Sequence, residues 1–165
     1  MDTALTWVIA TLNSTALSGI VMNNAVVFPV LEMAHFLGLC LLFGSLLVVD
    51  LRIVGVSPRV PIQQVEKFLR FALFGFAINL TSGLLFVVGD SDRYLVNIAF
   101  WTKMAVIVVA GLNTAYFVRR VKPQIDAGVR SADLTPDARA VAWLSLVLWT
   151  SVIVLGRFIP YVEDL

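Results

Sequence analysis

The sequence holds one histidine, His35, inside a long apolar run. An ionisable group buried in such surroundings is costly, and by default it marks a candidate site. Glu32 precedes it by three positions, so the two side chains share one face of a helix. Three further polar groups stand in separate apolar runs: Asn79, Lys103 and Arg157. Glu-x-x-His is the spacing of di-iron carboxylate bundles, but that centre needs a second such motif and two more glutamates. The remaining glutamates, Glu66 and Glu163, lie outside the apolar runs, so a di-iron centre in one chain is not expected. A four-ligand zinc site, a Ser/His/Asp arrangement with a credible third acid and a phosphate-binding glycine motif are all missing from the sequence. Haem iron asks for less. A single axial His suffices, because the porphyrin supplies the other nitrogens, and Lys103 and Arg157 are cations suited to its propionates. A membrane quinone is the rival ligand, its carbonyls taking donors from His35, Asn79 or Lys103 in an apolar slot.

The elements that must position these groups are membrane spans. Of 165 residues, 59% are hydrophobic and 14% charged, whereas an ordinary soluble domain carries about 25% charged residues. Too little polar surface is present to cover a soluble globule. Crossing the hydrocarbon takes about 20 mostly apolar residues in a helix, and four segments qualify, at about 29–49, 71–88, 98–118 and 141–159. Open strands are excluded, since lipid cannot satisfy their backbone groups. The prediction is an all-α integral membrane four-helix bundle, a single domain over residues 1–165. Residues 1–25 are more polar, with Asn13, Ser14, Thr15, Ser18, Asn23 and Asn24 among the apolar ones. They are expected to form an interfacial helix over the mouth of the bundle, a fifth span being the alternative. The first basic residue is Arg52, so no signal-peptide pattern opens the chain, and insertion is expected to depend on the helices themselves.

Basic residues near span ends favour the cytoplasmic side. Arg52, Arg59, Lys67 and Arg70 flank the first loop, and Arg119, Arg120, Lys122, Arg130 and Arg139 the third. The opposite side carries Arg93 and Arg157 with Asp2, Asp90, Asp92, Glu163 and Asp164. This bias predicts cytoplasmic first and third loops and both termini outside. Thr135 and Pro136 read as the N-cap and first residue of the last helix, and Asp50 and Arg52 as anchors at the inner interface. Trp101 and Trp143, near opposite boundaries, suit an aromatic belt. His35 comes six residues after Pro29, roughly 9 Å into the membrane at about 1.5 Å per residue. Lys103 stands at a similar depth, Arg157 nearer the boundary and Asn79 somewhat deeper. Small or polar stripes would turn these groups inward: Glu32, His35, Gly38 and Ser45; Ala72, Gly75, Asn79, Gly83 and Phe86; Lys103, Ala110 and Thr114; Trp143, Thr150 and Arg157. Glycines in such stripes let membrane helices approach closely.

The run Glu32-Met33-Ala34-His35-Phe36-Leu37-Gly38, continued by Phe43-Gly44 and Asp50-Leu51-Arg52, resembles an uncharacterised family of bacterial inner-membrane proteins. Gly156-Arg157-Phe158-Ile159-Pro160-Tyr161 resembles that family's closing motif. More distantly, the pattern is similar to HemJ-type protoporphyrinogen oxidases and to CopD-type membrane domains. In the HemJ-type family a His on an early helix, followed by a Phe/Ala-Gly step, is linked to haem b. His35 with Phe43-Gly44 is similar, one residue short in spacing, and Phe100-Trp101-x-Lys103 is comparable to an aromatic-Lys pattern on a later helix. The Asn-Glu-Pro-like element before the last HemJ-type helix has no counterpart, so the resemblance implies a haem site rather than protoporphyrinogen oxidation.

Three readings follow. The first is a b-type haem protein passing electrons between quinone and a periplasmic partner, with His35 on the iron, Glu32 beside it, Asn79 in the polar layer, and Lys103 and Arg157 on the propionates. The second is a non-enzymatic scaffold, a subunit of a complex or a homo-oligomer, binding a lipid-like ligand. The third is copper passage in the CopD manner through Met33, His35 and the single cysteine, Cys40. Cys40 otherwise reads as a small packing residue, and net charge +1 argues against nucleic acid.

Overall fold

A computed structural model of the chain describes residues 3–56, 65–130 and 133–162, with backbone alone at 65 and 66. The expectations at Asp2, Arg59, Glu163 and Asp164, and for the Glu66 side chain, lie outside the described residues. Helices run over α1 (Thr3–Asn13), α2 (Ala16–Asn23), α3 (Val27–Val54), α4 (Val65–Gly89), α5 (Ser91–Leu95), α6 (Ile98–Tyr116), α7 (Lys122–Asp126) and α8 (Pro136–Phe158). No strand occurs among the described residues.

Four of these segments are long and apolar enough to cross a membrane, the third combining α6 and α7. Within their most apolar windows only 17–39% of residues are buried inside the protein. The rest of that apolar surface faces outward, which is stable in hydrocarbon and not in water. The chain is therefore a multi-pass membrane protein built as a helical bundle.

Three of the four spans begin or end on a recognisable local device. Asn24 Oδ1 accepts from the amides of Val26 (3.0 Å) and Val27 (3.4 Å) at the start of α3. Gly55, at φ +98°, closes α3 in the left-handed conformation, and its amide and that of Val56 both reach Leu51 O. Asn97 Oδ1 caps α6 through the amides of Ala99 and Phe100. Thr135 stands at the N-cap of α8 with Pro136 just inside, as expected.

All four spans are longer than the apolar runs alone suggested, and the third differs most. Instead of ending near Val118, α6 continues through a π-helical turn, Phe117–Val121, into α7. Pro123 has no amide hydrogen to return to the preceding turn, and the widened turn just before it absorbs that break. Phe117, Val121 and Ile125 on this extension are buried with Val49, Ile53, Ala138 and Ala142, and close the loop end of the bundle.

The spans pack in the order α4, α3, α8, α6, while α4 and α6 have no comparable direct packing. We call the end where α3 begins and α8 finishes the terminal end. The expected single N-terminal helix is two helices, bent by 67° between α1 and α2. Thr15 Oγ1 caps α2 through the Ser18 amide. Neither helix alone has the length of a span, but the pair together meets the same test of length and composition. They dock on the terminal end of α4 and on α5. Ser18 donates to Gly89 O (3.2 Å), Ser91 to Asn13 Oδ1 (2.5 Å), and Asn13 Nδ2 to Asp92 (2.6 Å).

Candidate functional site

The α3–α4 contact brings His35 to its partner. Gly38 and Gly75 let the two backbones nearly touch: a Cβ on Gly75 would stand 2.6 Å from Leu42 N and 2.7 Å from Gly38 O. From there towards the terminal end, α4 presents Asn79, Ser82, Gly83 and Phe86 to α3. His35 Nδ1 lies 2.7 Å from Ser82 Oγ. Ser82 Oγ is also 2.7 Å from Ile78 O. The hydroxyl has one proton: given to Ile78 O, it leaves Ser82 accepting from His35 Nδ1–H with the lone pair on Nε2; given to Nδ1, it puts the ring hydrogen on Nε2. Such a second-nitrogen contact orients metal-bound histidines and raises their basicity.

Around the ring lie Gly83, whose added Cβ would approach His35 Cε1 to 3.8 Å, and Phe86, edge-on at 5.4 Å between centroids. Phe86 continues the aromatic wall to Phe28 and Tyr94, and Tyr94 to Phe100.

Lys103 comes from α6 and is half-buried. Its ammonium lies against Gly156 of α8, where an added Cβ would be 3.2 Å from Nζ. The glycine thus makes room for the lysine, and the charge is near enough to act on His35. Among the described residues no carboxylate forms an ion pair with Lys103. Asn79 donates to Gly75 O (2.9 Å) on its own helix and lies over Gly38, so it belongs to the seam beneath the histidine.

Two of the expected site residues are elsewhere. Glu32 is exposed, and Ser82 occupies the role expected of it. Arg157 is exposed too, donating to Tyr161 OH at 2.9 Å with its guanidinium 5.2 Å above that ring. The stripe Trp143, Thr150 and Arg157 faces outward as a whole. In its place Ala138, Ala142, Ser145, Trp149 and Val152 face the core, because the small residues among them allow α8 to approach α3 and α6. Met33 and Cys40 are exposed away from His35. No cluster of three or more His, Cys, Asp or Glu suited to a metal ion occurs among the described residues. Copper passage through Met33, His35 and Cys40 therefore has no assembled ligand set.

Two groups were overlooked. Ser82 carried a weak signal, three positions from Asn79 on the expected inward stripe. Asp50 was read as an interface anchor, yet it is 3% exposed and faces Ser145 of α8. Its signal was its position one turn beyond Leu46, on the buried stripe of α3.

The site can offer an imidazole lone pair, an ammonium without a carboxylate partner and an aromatic wall, at one depth in the bundle. The chain belongs to a family of unknown function, DUF6644, whose model matches residues 26–162. No curated protein matches the chain, and neither does any solved structure.

Proposed function

We propose that the protein is a small electron-transfer protein of the bacterial inner membrane that binds haem b, with His35 Nε2 as axial ligand. One observation carries the reading. Ser82 Oγ stands 2.7 Å from both His35 Nδ1 and Ile78 O, an arrangement that can hold the Nδ1–H tautomer on the helix seam and leave Nε2 its lone pair. That is the tautomer and the kind of anchoring an iron-bound imidazole needs. Lys103 would pair with a propionate and Phe86, Tyr94 and Phe100 would flank the macrocycle; Glu32 and Arg157 are left out of the site. Bound haem would supply one-electron transfer. The basic residues at the loop end support cytoplasmic first and third loops, so that the site lies nearer the periplasmic face, where it could serve a periplasmic partner.

A second reading has an observation of its own. The weak direct packing between α4 and α6 favours a ligand that enters sideways from lipid, as a quinol would. Its hydroxyl would donate to His35 Nε2, with Lys103 close to the same ring. The test is the absorption spectrum of the detergent-purified protein from haem-supplied cells. A Soret band lost in His35→Ala and retained in Glu32→Gln is expected. A colourless, iron-free preparation would overturn the haem reading. Quinol binding that depends on His35 would then favour the second, and a His35→Ala variant altered only in stability would leave a scaffold.

A further inference from the structure

A second titratable group lies in the bundle, at the other depth of α3. Asp50 is 3% exposed and faces α8, with Ser145 beside its carboxyl. The second oxygen, Oδ2, is fully buried and has no hydrogen-bond partner. One turn along α8 from Ser145, the indole nitrogen of Trp149 is likewise buried without a partner. A donor and an acceptor on two packed helices thus form an unpartnered polar level inside an apolar bundle. Nothing in the His35 chemistry uses it.

Among the described residues, no charged group of the surrounding elements forms an ion pair with Asp50. Lys67 and Arg70 on α4, Arg119 and Arg120 on the π turn, and Arg139 on α8 are exposed. Asp137, on α8, accepts from Tyr116 OH. Arg52 follows two positions later, about 200° further round the helix. A lone carboxylate charge in such a place is strongly disfavoured, whereas a neutral carboxyl is tolerated.

The nearer aqueous phase is at the loop end, across the apolar layer of Ile53, Phe117, Val121 and Ile125. The last residue of α3, Val54, is four residues beyond Asp50, roughly 6 Å of helix. Towards the terminal end, Leu42, Leu46, Ala72, Ala110, Trp149 and Val152 fill the core. We propose that Asp50 is a proton-binding site in the membrane bundle, exchanging one proton with the aqueous phase at the loop end. The balance is simple: the carboxylate gains a proton from water at that end and returns it there, and no other bond changes. The neutral form lets α3 and α8 stay packed; the ionised form places a charge at their contact. The inference is independent of whether His35 holds a cofactor.

Infrared spectroscopy of the full-length protein in detergent tests it. The expected result is a protonated-carboxyl stretch near neutral pH that disappears on alkaline titration. The band should be absent in Asp50→Asn and shifted in Ser145→Ala, which keeps the carboxyl but removes the hydroxyl beside it. Carbon-13 labelling of aspartate carboxyls in the unaltered chain should move the same band, so the test stands even if Asp50→Asn fails to fold. A spectrum without a protonated carboxyl, a band indifferent to the aspartate label or to Ser145→Ala, or a carboxylate signal that follows added sodium would each overturn the proposal.

Discussion

Replacing Gly75 with alanine tests whether the α3–α4 seam holds the candidate site together. The new methyl would stand 2.6 Å from Leu42 N, 2.7 Å from Gly38 O and 3.0 Å from Leu42 Cα, all of them backbone atoms that cannot rotate away. Ordinary contact begins near 3.4 Å, so the helices must separate locally by about 0.8 Å. Overpacking of this kind costs about 1–3 kcal/mol. A gap of 0.5–1 Å also forfeits roughly a quarter to a half of each dispersion contact along the seam. Gly44 is the control. It lies on α3, the facing helix of the same seam, and an added Cβ meets nothing within 4 Å. There alanine should be neutral or stabilise by up to about 1 kcal/mol, through reduced backbone freedom in the unfolded chain. Gly38→Ala should fall between the two, since its obstacles are side-chain atoms of Asn79 and Ile78. Thermal unfolding in detergent, followed by circular dichroism, should rank the variants Gly75→Ala, Gly38→Ala, Gly44→Ala from least to most stable. Equal stability of Gly75→Ala and Gly44→Ala would refute the close seam. It would also remove the basis for the 2.7 Å contact between His35 and Ser82, which depends on it.

Other consequences can be checked on the same preparation. Asn97→Ala should cost about 1–3 kcal/mol, because the side chain caps two amides of α6 and donates to Ile159 O while buried; the same unfolding assay reads it. Lys103→Gln should weaken retention of haem at least several-fold, whereas Arg157→Gln should leave it unchanged, since that guanidinium engages Tyr161 on the outside. Titration of the apoprotein with haemin would expose an equal response.

Much of the architecture follows from length and hydropathy. A run of about 20 apolar residues has few fates other than a span, so four helices and their alternation across the membrane could be counted without coordinates. Their true ends could not, because a helix leaving the hydrocarbon may continue on polar residues, as α3 does through Asp50 and Arg52 to Val54. Likewise Pro123 reads as a loop signal, yet a π turn carries the helix past it. His35 was legible as the sole histidine in an apolar run. Ser82 was harder to find, because serine is common in membrane helices and its importance comes from standing across from the imidazole.

Glu32 and Asp50 show where reasoning along one helix runs out. Their numbers differ by 18, about five full turns at 3.6 residues per turn, so on a straight helix they point the same way. Glu32 is exposed while Asp50 is almost wholly buried. The difference lies in the neighbour: Ser145 on α8 covers that side of α3 at the level of Asp50, and at the level of Glu32 that side is left open. Because α3 is apolar nearly all round, its composition marks no inward face, and the three-residue step from Glu32 to His35 was read as one. Depth in the bundle can be measured in residues from a boundary. Direction is set by which helix lies alongside, and for these two acids that contact decides which one is a surface group and which one is buried.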